Sequence, residues 1–209
     1  MNDRVTALFI GDSLTEWFDF ERHFPGVKII NEGIAGDTTY GVLERLENVI
    51  SAAADKIYLM IGINDVFNGF QKDDIIENQE LIIEQVLTHI NGTELIVQSL
   101  LPVNETMLGS PGYLNRVIRY INKELKSHCE ARKLTYLDLY PAFLEGEEMT
   151  EVDPVFLDQM QAQKLWTPEL DQHVKTQGTL VGTPVSAALK KLFATSLEVP
   201  YSFHLRHQL

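Results

Sequence analysis

Ser13 stands in "IGDSLTEW" (10–17), directly behind a glycine and an aspartate, at the point where an apolar run stops. A serine hydroxyl at a helix N-terminus is an exposed nucleophile, but a weak one until a base takes its proton. Attack on a carbonyl also needs donors for the oxyanion that forms. The N–H of a glycine in a tight loop can approach such an oxygen closely, and an asparagine side-chain amide supplies another donor without charge. Gly36, in "NEGIAGDTT" (31–39), and Asn64, in "IGIND" (61–65), fit those roles, with the Ser13 N–H as the natural third donor. Each residue also has a plainer use: Ser13 as a helix cap, Gly36 as a turn glycine, Asn64 as a loop residue bonding its own backbone. Together, on three successive loops, they favour a site.

Such a site requires elements that bring the three loops to one place. Short β-branched runs at 5–11, 27–33, 56–62, 94–102 and 134–141 read as five strands, most of them apolar enough to be buried on both faces. Amphipathic stretches lie between them. In 39–50, Val42, Leu43, Leu46, Val49 and Ile50 make one stripe, with Asp37 or Thr38 placed to cap its start. A second helix is expected over 73–90, with Ile75, Ile76, Ile82, Ile83, Val86 and Leu87 facing the core. A third is expected over 112–132, opened by "SPGY" with its proline near the first turn. Strand–helix alternation predicts right-handed crossovers and a parallel sheet covered by helices on both faces. Ligands of such sheets bind beyond the carboxyl ends of the strands, where Gly11-Asp12-Ser13, "NEGIAGDTT" and "IGIND" would converge.

The 209 residues, 44% hydrophobic and 22% charged, suit one α/β domain spanning 1–209, with no repeat or low-complexity segment to divide it. Thirty acidic residues against 17 basic give a net charge of −13, and no Lys/Arg cluster stands out, so nucleic acid and anionic membrane are poor partners. The lone Cys129 forms no internal disulfide and no multi-cysteine metal site, and reads as a buried helix residue. "MNDRVTALFIGDS" is too short in its apolar run for a signal or spanning segment, and a cytoplasmic location is expected. Trp17, Phe18 and Phe20 read chiefly as packing for the first helix, with a pocket lining as the alternative. Acidic "EGEEMTEVD" (145–153) reads as a solvated loop.

"GDSLT", "GIAGDTT" and "GIND", in this order, resemble the sequence blocks of the SGNH (GDSL) hydrolases. "NEGIAGDTTYGVLERL" and "LLPVN" are most similar to the branch of platelet-activating-factor acetylhydrolase α subunits and lysophospholipase-like esterases. The resemblance covers about residues 5–145 and is specific as a set, whereas "GDS" alone is weak. It implies a flavodoxin-like three-layer α/β/α fold with a five-stranded parallel sheet. It also implies Ser13 as nucleophile, an oxyanion hole of the Ser13 amide, Gly36 and Asn64, and no metal or organic cofactor. The serine is not in a G-x-S-x-G elbow, which separates the chain from the ordinary α/β-hydrolases.

The family's fourth block, Asp-x-x-His, is not intact: no such tetrad occurs in the chain. In "PELDQHVKTQG" (168–178), His173 precedes Gly178 as in the family pattern, but Leu170 stands where the aspartate belongs, leaving Asp171 and Glu169 as the neighbouring carboxylates. In "DPVFLDQMQAQKLW" (153–166), Asp158 supplies an acid, yet Gln161 stands in place of the base. Among the other histidines, His89 and His128 fall in helical patterns, His23 follows the first helix, and His204 and His207 lie in a tail read as poorly ordered. His173 with Asp171 is therefore the expected base and its orienting acid, with Glu169 and Asp158 as alternatives.

Two functions follow from the resemblance. The leading one is a cofactor-independent serine esterase acting on a small, short-acyl ester through an acyl-serine. The other is an SGNH-fold binding protein whose altered fourth block leaves no working base. Substrate identity and oligomeric state stay open, a homodimer included.

Overall fold

A computed structural model of the chain describes residues 5–103, 105, 112–145 and 148–149. Five strands, β1 (Thr6–Gly11), β2 (Lys28–Gly33), β3 (Lys56–Met60), β4 (Glu94–Gln98) and β5 (Thr135–Leu137), form one all-parallel sheet in the order β2-β1-β3-β4-β5. This is the flavodoxin-like order the sequence led us to expect, and the fold is α/β. Among the described residues, six helices connect and follow the strands: α1 (Ser13–Glu16), α2 (Phe20–His23), α3 (Thr39–Ile50), α4 (Ile63–Phe67), α5 (Lys72–His89) and α6 (Leu114–Arg132). A 3-10 helix at Tyr140–Phe143 and a short antiparallel pair, β6 (Leu144–Glu145) with β7 (Glu148–Met149), come after β5.

The strand alternation explains the layering. Successive side chains point to opposite faces, so Leu8 and Ile10 of β1, Ile57 and Leu59 of β3, and Leu95 and Val97 of β4 meet one set of helices. There they pack on Val42, Leu46 and Val49 of α3, Ile82, Ile83 and Val86 of α5, and Leu125 and Cys129 of α6. The opposite face presents Ala7, Phe9, Tyr58 and Ile96 to Phe20 and Phe24. Phe9 is stacked on Tyr58 with ring centroids 4.4 Å apart and tilted against Phe20 at 4.2 Å. Every residue of β3 is buried, in keeping with a central strand covered on both faces.

Element bounds differ from expectation where side chains take over the ladder's role. The run at 94–102 leaves the sheet at Gln98, because Asn122 of α6 brackets Leu100, accepting from its N–H at 2.8 Å and donating to its carbonyl at 2.9 Å. The run at 56–62 leaves at Met60, where Gln79 Nε2 donates to the Ile61 carbonyl at 2.7 Å. Buried backbone groups need partners but not strand partners. Helix α6 starts at Leu114 with Tyr113 at its N-cap, two residues later than the expected start at 112; Ser110 and Pro111 of "SPGY" lie outside the described residues. Thr38, not Asp37, caps α3, its Oγ1 accepting from Gly41 N–H at 3.2 Å.

Candidate active site

The strand order places the site. From β1 the chain crosses to β2 on one side and then returns to β3 on the other, so β1 and β3 flank the point where the direction of winding reverses. Crevices open beyond the carboxyl ends of strands at such points. Ser13 follows β1, Gly36 follows β2 and Asn64 follows β3.

Ser13 is the first residue of α1 and half-buried, and the capping role falls to its neighbour: Asp12 Oδ1 accepts from Leu14 N–H at 2.9 Å. The hydroxyl of Ser13 is thus not the helix cap. Two glycines let this turn sit hard on the strand ends. A Cβ on Gly11 would meet the Met60 carbonyl at 2.8 Å and the Thr15 side chain, and one on Gly33 would collide with the Glu16 backbone. Asn31 Nδ2 donates to the carbonyls of Thr15 at 3.0 Å and Glu16 at 3.2 Å, tying β2 to the end of α1.

Asp12 is almost wholly buried, and burial pushes its carboxyl up to about 7; the Leu14 bond opposes this shift, and Asp37 and Asp65 add to it. Its Oδ2 has no hydrogen-bond partner among the described residues.

The loop after β2 is fastened from several sides. Ile34 N–H donates to the Gly11 carbonyl at 3.1 Å, Asp37 N–H donates to the Ile34 carbonyl at 3.0 Å, and Ala35 N–H donates to Glu16 Oε2 at 2.7 Å. Gly36 sits in this turn at φ +80°, a backbone conformation that favours glycine, and a Cβ there would meet nothing within 4 Å. Arg45 of α3 holds the loop's far end: its Nε and Nη2 both lie 2.9 Å from Asp37 Oδ2, and Nη2 donates to the Glu32 carbonyl at 2.9 Å.

Asn64 is the second residue of α4 and half-buried, and its Nδ2 donates to the Asp37 carbonyl at 2.8 Å. It therefore bonds the neighbouring loop instead of its own backbone. Beside it, the carboxylate of fully buried Asp65 accepts from the Thr39 hydroxyl at 2.6 Å and from Thr39 N–H at 3.0 and 3.2 Å. Asn78 Nδ2 donates to the same hydroxyl at 3.0 Å. The loops carrying Ser13, Gly36 and Asn64 are thus bonded to one another on a single rim. Asp12, Thr39, Arg45 and Asp65 were not singled out as partners in this rim. Only the adjacency of Asp65 to Asn64 and the place of Thr39 at a helix start hinted at them in the sequence.

Asp158, Glu169, Asp171 and His173 lie outside the described residues. His89 is far from the rim on topological grounds, and His128 is engaged by carboxylates of α5. Helices that cross between parallel strands run antiparallel to them, so the C-terminal ends of α5 and α6 lie at the sheet's opposite edge. His89 ends α5, its Nδ1 2.7 Å from the Gln85 carbonyl, and His128 is buried near the end of α6 with Nδ1 2.9 Å from Glu80. Cys129 is buried on α6 as expected, and desolvation pushes its thiol up to about 11, away from nucleophilic use. Trp17 and Phe20 are buried, and Phe20 belongs to the aromatic cluster under the sheet. No described helix is long and apolar enough to cross a membrane.

The sequence pattern of the GDSL-like lipase/acylhydrolase family matches residues 9–154. No curated protein matches the chain. Among solved structures, a Streptococcus pneumoniae protein provisionally named a platelet activating factor is 25% identical with a TM-score of 0.71, over 94% of this chain and 85% of that one. A GDSL-like lipase of Bacteroides thetaiotaomicron is 20% identical with a TM-score of 0.69, over 92% and 87% of the two chains. An acetylxylan esterase of Geobacillus stearothermophilus is 16% identical with a TM-score of 0.62, over the whole of both.

Proposed function

Because the chain belongs to the GDSL-like lipase/acylhydrolase family and is a hydrolase of that kind, we propose that it cleaves small carboxylic esters through an acyl-serine formed on Ser13. The observation that carries this reading is the position of Ser13: the first residue of α1, relieved of capping by Asp12, at the strand-order reversal and beside the loop that holds Asn64.

In this reading Ser13 Oγ attacks the ester carbonyl as a base takes its proton. The tetrahedral oxyanion is met by the N–H groups of Ser13 and Gly36 and by the Asn64 side chain. Asn64 Nδ2 carries two hydrogens and gives one to the Asp37 carbonyl, which leaves the other for the oxyanion and fixes the direction in which it points. The protonated base then gives its proton to the departing alkoxide. Water, activated by the same base, clears the acyl group by the reverse sequence. His173 is the proposed base and Asp171 the acid that orients it. Support for His173 comes from Gly178 following it as in the family's fourth block, from the remote end of α5 occupied by His89, and from the engagement of His128 with Glu80.

A short acyl group, acetyl first among them, is the proposed specificity. Its support is the acetylxylan esterase among the structural neighbours, of which a serine and an aspartate variant are both known as catalytic mutants. Exposed Ile34 after β2, Tyr40 in the first turn of α3, Phe67 at the end of α4 and Phe70 in the loop beyond it offer apolar surface to the alcohol part of the ester. The chemistry needs only side chains and water, and with one cysteine a cytoplasmic setting suits it. Turnover of p-nitrophenyl acetate by the wild type and its loss in Ser13→Ala test the proposal. A wild-type protein without turnover, or an active Ser13→Ala, refutes it.

A further inference from the structure

Two neighbouring residues of one turn grip the loop that precedes α3. Asn64 donates to the Asp37 carbonyl at 2.8 Å, and Asp65 accepts both the hydroxyl and the N–H of Thr39. The stretch between those grips is only Asp37 to Thr39, and Gly36 immediately precedes it. Asp65 and Thr39 are both fully buried, and Asn78 of α5 supplies a further donor to the Thr39 hydroxyl. A buried side chain that accepts both the hydroxyl and the N–H of one residue of another element fixes that residue's place, since breaking the bonds leaves buried polar atoms unpaired.

We propose that Asp65 is a positioning residue: through the hydroxyl of Thr39 it sets the spacing between the Gly36 N–H and the Asn64 amide, and so the fit of the oxyanion hole. This rests on the esterase reading. Asp65 touches no reacting atom in it. Its effect falls on kcat, because donors placed for the transition state barely contact the ground-state carbonyl, and small displacements of preorganised donors are costly.

The test separates the hydrogen bond from packing at Thr39. Thr39→Val keeps the volume and loses the hydroxyl; Thr39→Ser keeps the hydroxyl and loses a methyl. With p-nitrophenyl acetate as substrate, Thr39→Val should lower kcat by about tenfold with KM within about twofold. Thr39→Ser should melt at a lower temperature than wild type yet retain kcat. Asp65→Asn, isosteric and uncharged, is the second variant should Thr39→Val fail to fold, and should also lower kcat at unchanged KM. In the Asn64→Ala background the Thr39→Val loss should shrink, since one of the two donors being aligned is already gone.

Wild-type kcat in both Thr39→Val and Asp65→Asn would overturn the assignment and leave the pair a structural tie. Equal losses in Thr39→Val and Thr39→Ser would overturn it in favour of packing. An unshrunken loss beside Asn64→Ala would do so as well. A wild-type protein without turnover brings down the esterase reading and this inference with it, whereas an active wild type, an inert Ser13→Ala and unaffected Thr39 and Asp65 variants bring down the inference alone.

Discussion

Asn64 gives one amide hydrogen to the Asp37 carbonyl, and mutation separates an oriented oxyanion donor from a loop tie. Asn64→Ala should lower kcat by about 10²-fold, the usual scale for one such donor, with a smaller effect on KM. Unchanged kcat with a lower Tm would reduce Asn64 to a loop tie. Asp12 presents the opposite case, a residue whose chemistry shows in stability. Burial raises its carboxyl in the folded protein to about 7 from an ordinary 3.8. Between those values the folded state holds a proton that the unfolded state has released. The contribution is therefore fully favourable below pH 4 and is lost as pH rises through about 7. Asp12→Asn keeps an oxygen for the Leu14 N–H and never ionises. It should raise Tm by several degrees at pH 8, hardly at all at pH 4, and flatten the dependence between. A parallel pair of Tm–pH curves for wild type and Asp12→Asn would contradict this account of Asp12.

At the scale of elements, the close seat of α1 on the strand ends is what presents Ser13, and Gly33 permits it. Gly33→Ala should force the Glu16 backbone away, because the atoms a Cβ would strike are main-chain atoms with no rotamer to yield. The expected result is a drop in Tm together with a loss of esterase turnover of about tenfold or more. Gly26→Ala is the control: a Cβ there meets nothing within 4 Å, and the variant should match wild type in both measurements. If Gly33→Ala keeps full turnover, the seat of α1 does not govern Ser13. The elements themselves were largely legible in sequence: the α3 stripe at 39–50 corresponds to Thr39–Ile50, and the five strands all exist. Their ends were less so. The runs at 94–102 and 56–62 are apolar past the point where the ladder stops, and the residues that end them, Asn122 and Gln79, lie on helices distant in sequence.

For the whole molecule the decisive question is which imidazole serves Ser13. If His173 is the base, His173→Ala should reduce turnover nearly as far as Ser13→Ala, and the double variant should be scarcely worse, because members of one catalytic unit are strongly non-additive. Asp171→Asn should cost less, and the wild-type rate should fall as pH drops through the imidazole range, where a protonated ring cannot accept the serine's proton. Full activity in His173→Ala would exclude both His173 and Asp171 and leave the proposal for Ser13, Gly36 and Asn64 standing. What the sequence by itself determined was the fold class and the family, since period-2 and period-3.6 patterns and the three ordered motifs are local properties of the chain. What only the tertiary structure decided was how those motifs are joined. That Asn31 ties β2 to the end of α1, that Arg45 reaches back to the end of β2, and that Asp65 seizes Thr39 across 26 residues are consequences of strand order. Parallel pairing brings loops far apart in sequence to one edge, and a single sequence carries no local signature of which side chains will meet there.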